Sequence, residues 1–233
     1  MPVLTLYIYG AGDLGKEIYA YALRMNEVTK RYFETVFVID EKNMSENRTS
    51  FCGAVLRSYQ SITDSEKSNS EIIMAIGEPD VRAKMYNEIK ADGFIFAVII
   101  DPNAVVLSTA KIREGVIISP NAFVSSDVCI GENSLLQPGC TIGHDAKIGK
   151  NTVISSLTAI SGHCIIGDNT YIAVGVPVKE GVKIGSETII GLGSVVSMDI
   201  DDCVIASGNP AKEITKNRFK RVFIKFSNGS DEN

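Results

Sequence analysis

The sequence predicts an α/β N-terminal domain with a small Rossmann-like parallel sheet, followed by a left-handed parallel β-helix of hexapeptide repeats. Two observations predict this division. Strand-like and helix-like segments alternate over the first hundred residues, and an aliphatic residue recurs at every sixth position from Ile100 to Val196. We therefore expect domains at residues 1–97 and 98–203 and a basic C-terminal tail at residues 204–233.

The first hundred residues contain the elements of a small parallel sheet. Leu4–Tyr9 reads as a strand that leads into Gly10-Ala11-Gly12-Asp13-Leu14-Gly15 and then into a helix. Further strands are expected at residues 36–39 and 72–76, and a second helix at residues 78–90. In such sheets, ligands bind at the carboxyl ends of the strands.

The glycines at positions 10, 12 and 15 form a GxGxxG motif between a strand and a helix. This arrangement can bind phosphate at the helix N-terminus, although the motif alone is a weak signal. Asp40, at the end of the next strand, could accept a ribose hydroxyl. The domain is too short for a two-half dinucleotide fold, so a single nucleotide moiety fits better than NAD.

Every hexad of the second half has the same internal pattern. A small or β-branched residue usually stands two positions before the aliphatic residue, and 13 of the 17 positions three residues after it are Asn, Gly or Asp. Residues two apart on a strand face the same way, and Asn, Gly and Asp tolerate positive φ at a corner. Three strand-plus-corner units close a coil of about 18 residues. The step after Val196 lands on Asp202, where we expect the repeat to stop.

Composition and charge exclude several classes of protein. The 233 residues carry 23 Lys and Arg against 28 Asp and Glu, and this net charge of −5 argues against a general nucleic-acid-binding protein. We expect no signal peptide, because the apolar first residues lack a basic start. We also expect no stable membrane insertion, because no apolar run is long enough to span a membrane. Five cysteines without framework spacing favour a reducing compartment, so we expect a cytoplasmic protein with structural cysteines.

Taken together, these features resemble the two-domain sugar acyltransferases that acetylate nucleotide-linked amino sugars or sialic acid for bacterial surface glycans. The resemblance extends from Leu4 to about Ile214. The residues that carry it are Tyr7-Ile8-Tyr9-Gly10-Ala11-Gly12-Asp13-Leu14-Gly15, Val38-Ile39-Asp40-Glu41, Ala75-Ile76-Gly77-Glu78-Pro79-Asp80-Val81-Arg82, Gly143-His144-Asp145 and Ser207-Gly208-Asn209-Pro210-Ala211-Lys212.

This resemblance implies a homotrimer that binds acetyl-CoA between neighbouring β-helices and a nucleotide-linked amino sugar in the α/β domain. It implies His144 and Asp145 as the catalytic residues, and Gly162, Ala173 and Leu192 along the CoA arm. No metal is expected, because a thioester is already activated. The residues implied in the nucleotide-sugar pocket are Gly10, Gly12, Asp13, Leu14, Asp40, Glu41, Lys42, Ile76, Gly77 and Glu78.

The coil length adds two neighbours to this histidine site. One full coil after His144 stands Gly162, whose N–H could help to hold an oxyanion, and one full coil after Asp145 stands His163. His163 is either a turn residue or a contact of Asp145 that tunes the site. The N-acetyltransferases of the family often carry a second histidine nine residues after the first, where this chain has Val153.

We therefore expect an acetyl-CoA-dependent N-acetyltransferase that acts on a nucleotide-linked 4-amino-deoxy sugar, with His144 as general base. Histidine suits this role because its ordinary pKa is about 6.5. An O-acetyltransferase acting on sialic acid or a related sugar is the main alternative, and a non-catalytic nucleotide-sugar-binding protein is a more remote one. A carbonic-anhydrase-type metal hydrolyase needs three histidines per site, and the chain has two.

Positive charge is concentrated in the tail. We expect this segment to be solvated or packed in the trimer, with contact to CoA phosphates or to a membrane surface as alternatives, and residues 227–233 to be disordered. Residues 212–225 contain one acidic residue, Glu213, and six basic residues, which are Lys212, Lys216, Arg218, Lys220, Arg221 and Lys225.

Overall fold

The α/β domain contains a five-stranded sheet with one long α-helix on each side. The structure is a computed structural model that describes residues 4–44 and 48–222. The elements are β1 (Leu4–Tyr9), α1 (Asp13–Thr29), β2 (Tyr32–Ile39), β3 (Ser50–Phe51), β4 (Ala54–Ser58), α2 (Asp64–Lys67), β5 (Ser70–Met74) and α3 (Pro79–Ala91). The sheet has the order β3-β4-β2-β1-β5; β1, β2, β4 and β5 are parallel, and β3 is antiparallel to β4.

Both faces of this sheet are buried, because side chains alternate along its strands. In β1, Leu6 and Ile8 join the cluster beneath α1, whereas Tyr7 and Tyr9 join the cluster on the α3 side. The three predicted strands and two predicted helices are present, with β2 starting at Tyr32 rather than at residue 36. The short β3–β4 hairpin was not predicted.

The second domain is a triangular coil of two-residue strands, as predicted. Each coil adds one strand to each of three parallel faces. Face 1 contains β6 (Ile99–Ile100), β9 (Ile117–Ile118), β12 (Leu135–Leu136), β15 (Val153–Ile154), β18 (Tyr171–Ile172) and β21 (Ile189–Ile190). Face 2 contains β7 (Val105–Val106), β10 (Phe123–Val124), β13 (Thr141–Ile142), β16 (Ala159–Ile160) and β19 (Pro177–Val178). Face 3 contains β8 (Lys111–Ile112), β11 (Cys129–Ile130), β14 (Lys147–Ile148), β17 (Ile165–Ile166) and β20 (Lys183–Ile184).

The hexad pattern explains both the core and the corners of this coil. The second residue of each strand points inward and forms one continuous cluster with the small residues of the corners. Positive φ occurs at most of the positions three residues after the inward aliphatic residue, which were predicted to form the corners. Asn103 and Asp199 occupy such positions without adopting positive φ, whereas Leu157, His163 and Glu187 adopt it. The corner geometry is therefore imposed by the coil and not only by the residue type.

The six-residue spacing ends after Val196, as predicted, but the β-helix continues beyond it. The last coil is shorter by two residues than the coils before it, since Ile200 pairs with Ile184 and Ile205 pairs with Ile189. Two further strands, β22 (Val204–Ser207) and β23 (Lys212–Lys216), extend face 1. Residues 204–216 of the expected tail thus continue the β-helix sheet, because the two missing residues only shift the register.

The α/β domain packs on face 1. The cluster beneath α1 includes the outward-facing side chains of four face 1 strands, which are Ile99, Ile117, Leu135 and Val153. A second contact is made by Arg82 of α3, which is fully buried. Its guanidinium donates to the carbonyl oxygen of Asn133 at 2.8 and 3.0 Å, and to those of Met74 and Ile76 at 3.1 and 2.6 Å.

Candidate active site

His144 lies on the corner between faces 2 and 3, and its side chain is 51% exposed. Its Nδ1 is 2.9 Å from Oδ2 of Asp145, the next residue. An ionised carboxylate can only accept a hydrogen bond, so Nδ1 carries a proton in this contact, and in the neutral imidazole the lone pair is then on Nε2. The pair therefore has the arrangement that a general base requires.

The neighbouring coil supplies the floor of this site. A Cβ on Gly162 would lie 2.7 Å from Cε1 and 2.8 Å from Nε2 of His144, so the imidazole occupies the space that a side chain would need. The N–H of Gly162 has no acceptor within residues 4–44 and 48–222. It is therefore available to a ligand, as the oxyanion hypothesis requires.

His163 stacks beside these residues, at the position that the coil length predicts. Its ring meets that of His144 edge-on with centroids 4.9 Å apart, and its backbone N–H donates to the carbonyl oxygen of His144. Its Nδ1 is 3.9 Å from Asp145 Oδ2, which is too long for a hydrogen bond. The geometry thus pairs Asp145 with His144 rather than with His163.

Glu180 is a residue of this corner that the sequence analysis missed. Glu180 follows Gly162 by one full coil, just as Gly162 follows His144, so the three occupy one column along the β-helix. Because Gly162 has no side chain, the Glu180 carboxylate comes within 4.8 Å of both histidines. Counting one more coil of 18 residues from Gly162 would have identified Glu180.

The cysteines take no part in this site. Burial raises the pKa of the Cys140 thiol to about 12 and also raises the pKa of the Cys164 thiol. A thiol with a raised pKa is a poor nucleophile at neutral pH. This agrees with an acyl transfer that involves no cysteine intermediate.

The predicted nucleotide residues lie at the carboxyl edge of the α/β sheet. Gly10 has φ +118°, and a Cβ on it would lie 2.8 Å from the carbonyl oxygen of Ala75, so the loops after β1 and β5 touch here. Gly12 caps α1 without a side-chain hydrogen bond, and Asp13 pairs with Lys16 at the exposed helix start. Leu14 is partly buried beneath the sheet.

The loops after β2 and β5 complete this edge. Asp40 accepts a hydrogen bond of 2.8 Å from the Tyr9 hydroxyl, and burial together with this bond raises the pKa of Tyr9 well above its usual range. Glu41 and Lys42 lie in a short turn after Asp40. The carbonyl oxygen of Ile76 accepts a hydrogen bond from Arg82. Gly77 follows, and the carboxylate of the next residue, Glu78, accepts a 2.7 Å hydrogen bond from the N–H of Val222.

A cavity of about 370 Å³ opens at this edge. It has two lysines and two carboxylates on its walls, so it offers partners both to phosphate oxygens and to hydroxyl or amino groups. Four of its residues, which carry no motif, were missed by the sequence analysis: Gln60, Lys84, Met85 and Glu88. The lining residues are Asp40, Lys42, Gln60, Lys84, Met85 and Glu88.

One chain does not bring the two halves of the predicted site together. The α/β domain covers face 1, whereas His144 is on the opposite corner, between faces 2 and 3. Ala173 and Leu192 lie at a third location, the corner between faces 1 and 2, where the N–H of Ala173 donates to Ile190 and Leu192 is 74% exposed. Gly162 alone of the predicted CoA residues lies beside His144.

None of the helices in residues 4–44 and 48–222 has the length and apolar character that a membrane crossing requires.

The fold and these two sites define a class of protein, the hexapeptide acyltransferases that carry an α/β ligand domain. Residues 5–89 match the family described as PglD N-terminal domain, and residues 126–162 match the bacterial transferase hexapeptide family (six repeats). No curated protein sequence matches the chain significantly.

Two solved structures are similar over nearly the whole chain. The acetyltransferase domain of PglB from Neisseria gonorrhoeae is 26% identical with a TM-score of 0.82, covering 90% of this chain and 99% of that one, and a second structure of it is a complex with acetyl coenzyme A. PerB from Caulobacter crescentus, in complex with CoA and GDP-perosamine, is 25% identical with a TM-score of 0.80, covering 90% and 96%. The chain thus combines a PglD-type N-terminal domain with hexapeptide transferase repeats and is similar over nearly its whole length to sugar N-acetyltransferases, as the sequence motifs had indicated.

Proposed function

We propose that the protein transfers the acetyl group of acetyl-CoA to the amino group of a nucleotide-linked 4-amino-deoxy sugar. The observation that carries the chemistry is the 2.9 Å contact of His144 Nδ1 with Asp145, which in the neutral imidazole leaves the lone pair on Nε2 at an exposed corner. The similar structures contain the ligands that this reaction needs, since one is a complex with acetyl coenzyme A and another with CoA and GDP-perosamine.

The reaction follows from the groups at this corner. The sugar nitrogen attacks the thioester carbonyl carbon, and His144 Nε2 accepts the proton that the nitrogen loses. Negative charge then develops on the carbonyl oxygen, where the free N–H of Gly162 can donate a hydrogen bond. The carbon–sulfur bond breaks, and the proton passes from His144 to the CoA sulfur, so that CoA-SH and an acetamido sugar are the products.

The nucleotide part of the substrate is assigned to the carboxyl edge of the α/β sheet. Lys42 and Lys84 supply positive charge for a diphosphate, and the uncapped start of α1 at Gly12 adds free backbone N–H groups. Asp40, held by the Tyr9 hydroxyl, is placed to accept a ribose or base donor.

A thiol-release assay tests the function directly. Acetyl-CoA is combined with UDP-, dTDP- and GDP-linked 4-amino sugars and with CMP-sialic acid, and free CoA-SH is followed with a thiol reagent. We expect release with at least one amino sugar, together with a product heavier by one acetyl group. Acetylation of CMP-sialic acid alone would favour the O-acetyltransferase alternative, to which Val153 points. Nucleotide binding with no thiol release for any acceptor would leave only the non-catalytic alternative.

We also propose that the protein works as a homotrimer whose sites form between subunits. A neighbouring chain is needed because the nucleotide edge lies on face 1 and His144 lies on the opposite corner. The outward side chains of the face 2 strands are uncharged, and five exposed apolar residues lie on this face and on its corner with face 1, as expected for a subunit contact. They are Val105, Phe123, Leu157, Val174 and Leu192.

Mixed trimers test this arrangement. One inactive variant carries His144→Ala and a second carries Asp40→Ala with Lys42→Ala, and the two are co-expressed with different tags and purified together. If each site takes His144 from one subunit and the nucleotide loops from the next, one of the three sites is intact in every trimer that carries both tags, which is about a third of the sites. We expect that fraction of the activity to return. Mixed trimers as inactive as either parent would mean that each site is built within one chain.

A further inference from the structure

The corner that holds His144 also brings together three metal-ligating side chains. One ring nitrogen of His144, one of His163 and a carboxylate oxygen of Glu180 lie within 4.8 Å of one another. The coil spacing produces this cluster, because His144 and Glu180 are two rungs apart with only Gly162 between them. A side chain at that middle rung would collide with the His144 ring.

These ligand types and distances suit a divalent transition metal ion. Zinc binds imidazole nitrogen and carboxylate oxygen at about 2.0–2.2 Å, so ligand atoms around a tetrahedral ion are about 3.4 Å apart. The three side chains must therefore approach one another by no more than about 1.4 Å, a distance that side-chain rotation can cover. All three are exposed. Three protein ligands would leave one position for water.

Asp145 prepares His144 for such an ion. Its carboxylate accepts a hydrogen bond from Nδ1–H at 2.9 Å, and in this tautomer the lone pair is on Nε2. Histidine ligands of metals are commonly held in this way by a carboxylate, which fixes the tautomer and makes the free nitrogen a better ligand. The contact that makes Nε2 a base thus also makes it a metal ligand.

We propose that His144, His163 and Glu180 bind a divalent transition metal ion such as Zn²⁺, and that this ion inhibits acyl transfer. The metal binds the Nε2 lone pair that would otherwise accept the amine proton. The same nitrogen therefore cannot be a metal ligand and a general base at once. The inhibition rests on the proposed role of His144 as the base, whereas the binding of the metal does not.

Metal binding is measured first, without any activity assay. Protein lacking a histidine tag is titrated with Co²⁺ by visible absorption, and Zn²⁺ is then added to displace it. We expect one ion per chain, with Glu180→Gln and His163→Gln each weakening binding at least tenfold and Glu27→Gln, on the exposed side of α1, leaving it unchanged. No cobalt spectrum in the unmodified protein, or equal binding by Glu180→Gln, would overturn the site.

Inhibition is measured second, with the acceptor that gives thiol release. We expect Zn²⁺ to slow the unmodified protein and EDTA to restore its rate. Relative to its own rate without metal, Glu180→Gln should require at least ten times more Zn²⁺ for half-inhibition than the unmodified protein. Cobalt binding without any inhibition by Zn²⁺ would overturn the inhibitory role. Thiol release that is missing even before metal is added would instead count against the proposed function, and the cobalt result would stand.

Discussion

Replacement of His144 by alanine is expected to lower kcat at least about 100-fold, the usual scale of general acid–base catalysis. The imidazole removed is the group whose Nε2 is free while Asp145 holds Nδ1 at 2.9 Å. The side chain is half exposed, so its loss should leave the thermal midpoint almost unchanged. Steady-state thiol release gives kcat and KM, and the KM values for both substrates should change little because the base acts on the transferred proton.

Two further variants separate this role from a general disturbance of the corner. His163→Ala removes the chain's other histidine, which makes no hydrogen bond to Asp145, and should leave kcat within about threefold. Gly162→Ala keeps His144 but places a Cβ 2.7 Å from its ring, so the ring must move and kcat should fall about tenfold. Near-normal turnover in His144→Ala, or an equal loss in His163→Ala, would contradict the assignment of the base.

The largest effect on stability is expected from Arg82→Met. Arg82 is fully buried and donates to the carbonyl oxygens of Met74, Ile76 and Asn133. No carboxylate in the described part of the chain, residues 4–44 and 48–222, forms an ion pair with it. Burial lowers the pKa of Arg82 to about 9, so it remains charged at neutral pH and those carbonyl dipoles balance the charge. Methionine fills the volume but leaves buried acceptors unpaired, at a cost of about 3 kcal/mol in the free energy of unfolding.

Thermal unfolding followed by circular dichroism measures this loss. At roughly 2–4 °C per kcal/mol for a chain of this size, Arg82→Met should unfold about 6–12 °C lower than the unmodified protein. Arg113→Met serves as the matched control, because Arg113 is exposed at a β-helix corner and should change stability by less than about 0.5 kcal/mol. A melting point for Arg82→Met equal to that of the control would show that the buried hydrogen bonds carry no net stability.

The β-helix could be predicted in detail because its sequence repeats the same physical requirement at every turn. Each hexad needs one large and one small inward side chain, so the strands from β6 to β21 follow from counting. Counting in sixes missed the strands after Val196 because the last coil, shortened by two residues, conserves the strand pairing and not the spacing. The β3–β4 hairpin carried too short an alternation of apolar residues to be recognised.

The candidate site was only partly accessible from the sequence. The coil spacing placed Gly162 beside His144 and His163 beside Asp145, since neighbours along the coil depend on spacing alone. Glu180 could not be identified from spacing alone. Its contact with the histidines depends on Gly162, which lies between Glu180 and His144 and has no side chain to separate them. The partners of Arg82 lie partly in another domain, and no local pattern in the sequence specifies such a contact.

The three-sided coil also determines which changes in length the chain can tolerate. Removal of one whole coil between two corners deletes one rung and leaves every later side chain on its original face. Removal of a single hexad preserves each strand yet turns everything downstream by a third of a revolution. In the coil before His144, such a deletion would carry the base and the Gly162 floor onto a different edge of an intact β-helix. Deletion of a single hexad can therefore abolish activity in such a protein while its hydrophobic core remains packed.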